Sequence, residues 1–256
     1  IPGPFSLWRG GVLQDVKIAY ESWGEPGADR DNTILLFTGL SPSAHAASSP
    51  EDPTPGWWEF MVGPGKPIDT NRYHLVCVNS LGSCFGSTGP MSVNPATGEP
   101  YRMSFPELSV EDIAKAGREV VRSMGIERLH TVMGASLGGM TALAYAIDYP
   151  DEVENLVTLC SAAHATPHTI ATRSLQRDII RSDPAWQDGN YAVGEGPKEG
   201  MRLARKLGLM SYRSAEEWDQ RFGRERVKPE GERVEPFEIE FQVESYLDAN
   251  ARKFVG

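Results

Sequence analysis

The sequence predicts a doubly wound α/β domain built on a mostly parallel sheet. Three observations point that way. Continuous apolar runs at Thr33–Phe37, Tyr73–Val78, Leu129–Met133 and Val153–Cys160 read as strands buried on both faces. Helical periodicity separates the later runs, so strands and helices alternate. Finally, Val132-Met133-Gly134-Ala135-Ser136-Leu137-Gly138-Gly139-Met140 reads as a strand, a Gly-x-Ser-x-Gly turn and a helix. That context lifts a serine hydroxyl above the sheet edge on a sharp turn, whereas the five-residue string alone is a weak signal.

In chain order, Val12 to Trp23 alternates loosely and reads as a strand or hairpin at a sheet edge. The Thr33–Phe37 strand ends at the loop Thr38-Gly39-Leu40-Ser41-Pro42. Residues 42–70 are rich in Pro, Gly and Ser, interrupted by Trp57-Trp58, and a second long loop runs from Asn79 to Pro106. Ser109 with Asp112 forms a capping-box pattern that opens a helix reaching about Met124, closed by Gly125. The helix after Ser136 stops near Pro150. Beyond Ser161 the character changes. Ile170–Ile180, Gly200–Leu209, Ala215–Phe222 and Glu238–Phe254 read as helices with no buried strand among them. The expected organisation is a sheet core over 1–165 and an inserted helical lid over 166–256. The charge run Arg224–Arg233 reads as a solvated loop.

Composition narrows the function classes. A formal net charge of −10 argues against nucleic acid or an anionic membrane as the main partner. No apolar run approaches membrane-spanning length, and no Lys/Arg-led apolar start resembles a signal peptide. Cys77, Cys84 and Cys160, an odd number at no metal spacing, read as reduced thiols of a cytoplasmic protein without a metal site.

A serine hydroxyl needs a general base in hydrogen-bond reach, and an oxyanion needs aimed N–H donors. Leu137, at the start of the following helix, is the first expected donor. Leu40, in the loop after the Thr33–Phe37 strand, is the second, with simple loop packing as its alternative role. The base is harder to place. His74 and His130 open strands at the far end of the sheet, and His45 precedes the serine. His164 and His168 follow the next strand too early for the order Ser, Asp or Glu, His. The sequence therefore reads as a nucleophile without its base. Lys253-Phe254-Val255-Gly256, lying inside a helical pattern, makes truncation the expected reason.

Several stretches together resemble the homoserine O-acyltransferase family of α/β-hydrolases. They are Ala19–Gly24, Gly56-Trp57-Trp58, Val62–Thr70, Asn79–Cys84, Gly86–Pro90, the Ser136 turn and Glu240–Leu247. Gly39–His45, Arg173–Arg177 and Ser211–Ser214 are similar to the serine O-succinyltransferase branch. The resemblance implies an α/β-hydrolase fold and a two-step reaction. An acyl group would pass from acyl-CoA, a co-substrate rather than a cofactor, to Ser136, then to the side-chain hydroxyl of L-serine. Homoserine as acceptor with an acetyl or succinyl donor is the alternative, and an esterase a further one. The resemblance also implies that Arg205 meets the amino acid's carboxylate and that Ser41, Pro42, Ser43 and Ala44 shape its pocket. It places the triad Asp and His beyond residue 256 and implies a homodimer through lid helices. Trp57-Trp58 would wall the acyl tunnel or simply pack. Arg173 and Arg177 would face a succinyl carboxylate or lie on an ordinary helix surface.

Overall fold

The computed structural model describes residues 1–192, 194–229 and 231–255. It divides into two compact units, residues 1–164 and 165–256.

The first unit opens with a small antiparallel hairpin of β1 (Pro4–Ser6) and β2 (Val12–Gln14). The main elements follow: β3 (Tyr20–Trp23), β4 (Thr33–Phe37), β5 (Val62–Gly63), β6 (Ile68–Asp69) and β7 (His74–Val78). Then come α1 (Val110–Ser123), β8 (Leu129–Ala135), α2 (Leu137–Asp148) and β9 (Val153–Leu159). The main sheet runs β3-β7-β4-β8-β9. β3 is antiparallel to β7, and the remaining pairs are parallel, with Thr33 opposite His74 and Val132 opposite Leu156. The single loose strand expected over Val12–Trp23 is thus two elements, one in the hairpin and one at the sheet edge. The β5–β6 ribbon has too few residues to show a period in sequence.

Strand side chains alternate between two cores. Leu35, Phe37, Val76, Val78 and Val132 meet α1, α2 and the N-terminal hairpin. Ile34, Leu36, Leu75, Cys77 and Met133 meet Ala44, Ala46, Ala47, Val62 and Ile68. On that second face the cover is the 44–68 segment. Trp57 and Trp58 stack there with ring centroids 5.2 Å apart and pack against this core. The Trp57 indole N–H donates to the Ser43 carbonyl at 2.8 Å.

The expected burial of Val153–Cys160 is not observed. Among the described residues β9 is exposed along most of its length and pairs only with β8. α1 starts as its sequence dictates. Ser109 Oγ accepts from the Asp112 N–H while the Asp112 carboxylate accepts from the Ser109 N–H. The end of α1 is tied to the turn before β9 by Glu152, which takes a paired contact from Arg118 (2.8 and 2.6 Å) and another from Arg122 at 2.8 Å. The paired contact with Glu152 holds Arg118 strongly protonated, and Arg118 first, then Arg122, draw the Glu152 carboxyl below its usual range.

The second unit holds α3 (Pro167–Ser182), α4 (Lys198–Met210), α5 (Ala215–Phe222) and α6 (Gln242–Val255). Gly200 lets α4 approach α3, since a Cβ there would sit 2.9 Å from the Ile179 carbonyl oxygen. Asp248 on α6 binds Arg202 and Lys206 of α4, each at 2.7 Å. Lys206 and Arg252 draw its carboxyl down to about 2. The charge run is a largely exposed loop, bridged to Phe241 at Arg226 and paired through Arg226–Glu240 and Lys228–Glu238; Glu230 lies outside the described residues.

Candidate active site

Ser136 stands directly between β8 and α2 with φ +56° and ψ −118°. A non-glycine residue there carries on the order of 1–3 kcal/mol of strain, so its surroundings must hold it. They do so through backbone bonds. Its N–H donates to the Leu159 carbonyl at 2.9 Å, and its carbonyl accepts from Gly139 and Met140 at 3.0 and 3.1 Å. The flanking glycines make the turn possible. A Cβ on Gly134 would lie 2.3 Å from the Gly138 carbonyl, and one on Gly138 would lie 2.1 Å from the Phe37 carbonyl oxygen. Helix, strand and turn meet where only hydrogen fits. The Ser136 residue is exposed, and its hydroxyl caps no helix N–H.

Leu137 is the first residue of α2, where helical N–H groups have no partner within the helix. Among the described residues neither the Leu137 N–H nor the Leu40 N–H has an acceptor. Leu40, Leu137 and Pro42 line one cavity of about 440 Å³ with Leu81, Phe85 and Met91. The Ser83 hydroxyl, in the same wall, is buried without a partner among the described residues. The loop carrying Leu40 is fixed by a residue that sequence reading did not single out. Asn79 accepts the Ala44 N–H at 2.7 Å and donates to the Phe85 carbonyl at 2.7 Å. Its own carbonyl takes the Ser87 hydroxyl at 2.8 Å. The sequence signal was there: a polar residue immediately after a fully buried strand.

The other expected site residues fall as follows. Pro42 faces the cavity, whereas Ala44 is buried in the second core and Ser43 supports Trp57 and His45. Ser41 is half-buried in the same loop. Arg205, in the second unit, donates to the Tyr212 hydroxyl at 3.2 Å, with its guanidinium 4.6 Å from the Phe254 ring centre. Its Nε is buried with no partner among the described residues. Arg173 is engaged by Gln176 on its own helix, and Arg177 is exposed.

None of the histidines is hydrogen-bonded to Ser136 among the described residues. His45 uses both ring nitrogens, toward Glu21 Oε2 at 2.9 Å and the Thr54 carbonyl at 2.8 Å, and these bonds raise its pKa. His74 is buried against Thr33 at the start of β7, and desolvation lowers its pKa. His130 contacts the Thr131 hydroxyl near the start of β8, and His164 and His168 are exposed. The arrangement sets an exposed serine hydroxyl on a strained turn, with two backbone N–H groups that have no acceptor among the described residues, the kind of equipment that acyl transfer through a tetrahedral intermediate uses.

A sequence profile of the α/β-hydrolase fold matches residues 32–235. The chain belongs to this family. Two similar relatives bear O-acyltransferase names. Serine O-succinyltransferase of Litchfieldella anticariensis is 63% identical over 254 residues, covering 99% of this chain and 69% of that protein. L-serine/homoserine O-acetyltransferase of Streptomyces lavendulae is 59% identical, covering 99% and 68%. The crystal structure of homoserine O-acetyltransferase from Bacillus anthracis aligns at a TM-score of 0.86 and 31% identity, covering 98% of this chain and 69% of that one. No helix among the described residues is long and apolar enough to cross a membrane.

Proposed function

We propose that this α/β-hydrolase is an acyl-CoA-dependent O-acyltransferase that esterifies the side-chain hydroxyl of L-serine, with succinyl as the acyl group. The observation that carries it is the 63% identity with a serine O-succinyltransferase over nearly the whole chain, and the Leu40 and Leu137 N–H groups, without an acceptor among the described residues, support acyl transfer at the strained Ser136. Ser136 Oγ attacks the thioester carbonyl, its proton passes to the general base, and the carbonyl oxygen gathers charge against the two donors. The C–S bond then breaks, the CoA sulfur takes a proton, and an acyl ester of Ser136 remains. In the second half the acceptor hydroxyl attacks that ester, loses its proton to the base and leaves as the O-acyl amino acid, restoring Ser136. On the family pattern the base and its orienting acid come from positions beyond 256.

Arg205 is the proposed partner of the acceptor's carboxylate. Its buried Nε lacks a partner among the described residues, and a guanidinium fork can bind both carboxylate oxygens. Ser41, Pro42, Ser43 and Ala44 form the acceptor loop, with Ala44 acting through its tethered backbone rather than its methyl group. Residues 166–256 are read as the lid and as the surface of a cytoplasmic homodimer. Discrimination between serine and homoserine rests on one methylene, worth about 1–3 kcal/mol.

A matrix of L-serine and L-homoserine against succinyl-CoA and acetyl-CoA, run on the full-length protein, tests the reading. The expected result is the highest kcat/KM for L-serine with succinyl-CoA. Acyl release only as free acid, with either amino acid present, would overturn transfer in favour of hydrolysis, since water and an alcohol compete for the same acyl-enzyme.

A further inference from the structure

We infer that Ser161 is a positioning residue for the oxyanion hole, a role that rests on the nucleophile reading of Ser136. Ser161 lies just beyond β9, and its hydroxyl donates to the Ser136 carbonyl oxygen at 2.8 Å. That carbonyl belongs to the same peptide unit as the Leu137 N–H. A trans peptide is planar, so its C=O and N–H point in opposite directions. Whatever fixes the carbonyl fixes the line along which Leu137 offers its proton.

The Ser136 carbonyl also receives the Gly139 and Met140 N–H groups, but both lie in the helix that the peptide itself begins. Among the described residues, Ser161 alone anchors the carbonyl from outside that helix. Together with the Ser136 N–H bond to Leu159, it ties both sides of the strained residue to the end of β9. The second effect is electronic. A hydroxyl bonded to the carbonyl polarises the peptide and strengthens its N–H as a donor.

The sequence carries a matching signature in Gly139. A Cβ there would stand 2.7 Å from Ser161 Cβ and 2.8 Å from Ser161 Oγ. Glycine at this position, outside the Gly-x-Ser-x-Gly pattern, is what lets Ser161 reach the turn. The order of cause is then Gly139 admitting Ser161, Ser161 holding the Ser136–Leu137 peptide, and the peptide aiming Leu137.

The test uses Ser161→Ala in the full-length protein, with Ser136→Ala alongside. Removing an oxyanion donor outright costs about 10²–10³ in rate, and displacing one should cost less. The expected result is about a tenfold to hundredfold slower formation of acyl-Ser136, with KM for the thioester within about twofold. A reversible alkyl boronic acid, whose tetrahedral adduct places an anionic oxygen in the same hole, should bind more weakly by a comparable factor. Acylation within twofold of the parent, or slowed acylation with unchanged boronate affinity, would overturn the inference. If Ser136→Ala still acylates, it is the nucleophile reading that fails, and the two failures are told apart.

Discussion

Replacing Gly138 by alanine probes the packing that creates the site. The added Cβ would lie 2.1 Å from the Phe37 carbonyl oxygen and 2.7 Å from that of Thr38. Both obstacles are backbone at the end of β4, so neither can swing aside as a flexible side chain would. Reaching even a tight contact of about 3.0 Å requires β4 and α2 to part by about 0.9 Å. Overpacking of this kind costs roughly 1–3 kcal/mol or more. In a protein of this size that lowers the melting temperature by about 2–4 °C per kcal/mol. The functional loss should be larger than the loss of stability. Leu40 follows the strand end that must move, and Leu137 precedes the substituted residue, so the two proposed oxyanion donors separate. A misplacement near 1 Å costs on the order of 10²-fold in rate. The control is Gly39→Ala in the loop after β4, where the nearest atom to a new Cβ is the Ala135 carbonyl oxygen at 3.5 Å, an ordinary contact. Thermal melts and single-turnover acylation of the full-length variants measure both effects. A Gly138→Ala protein with parental stability and rate would refute the reasoning, as would a Gly39→Ala protein equally damaged.

Asn79→Ala leaves the Ala44 N–H and the Phe85 carbonyl without their partner, a cost of roughly 1–3 kcal/mol that a chemical denaturation midpoint should register. Glu152→Gln weakens the tie between α1 and the turn before β9, costing roughly 1–3 kcal/mol at neutral pH for this partly buried cluster. Because Arg118 and Arg122 depress the folded pKa of Glu152, its contribution is full above the unfolded carboxyl pKa and is lost as pH falls through the folded one. The gap between parent and variant in a pH series of melts should therefore close below about pH 4. In native protein a thiol reagent should modify Cys84 and Cys160, which are exposed, and leave Cys77, which is fully buried and whose thiol pKa burial raises, until denaturant is added.

Much of this molecule could be read from sequence where local and long-range preferences agree. β4, β7 and β8 are continuous apolar runs because their sheet is covered on both faces, and their bounds follow those runs closely. The start of α1 was legible from Ser109 and Asp112, since a capping box is a short-range device. α5 matches its expected span because Ser214 caps it and Gly223 ends it. β9 shows the limit. Its composition is that of a buried strand, while among the described residues it has one strand neighbour, and burial depends on what packs against a strand rather than on its own residues. The Ser136 turn was legible because strand, glycines and helix are adjacent in the chain. Asn79 and Ser161 were not singled out, because their roles consist of hydrogen bonds to residues many positions away, Ala44 and Ser136. Asn79 leaves one local hint, a polar residue directly after the fully buried β7, and Ser161 leaves neither a period nor a spacing.

The central claim is that Ser136 carries the acyl group between donor and acceptor. Intact and peptide mass spectrometry of full-length protein mixed with succinyl-CoA, without amino acid, tests it most directly. The expected result is one added acyl group on the peptide containing Ser136, discharged when L-serine is supplied and absent in Ser136→Ala. No adduct, together with undiminished transferase activity in Ser136→Ala, would contradict it.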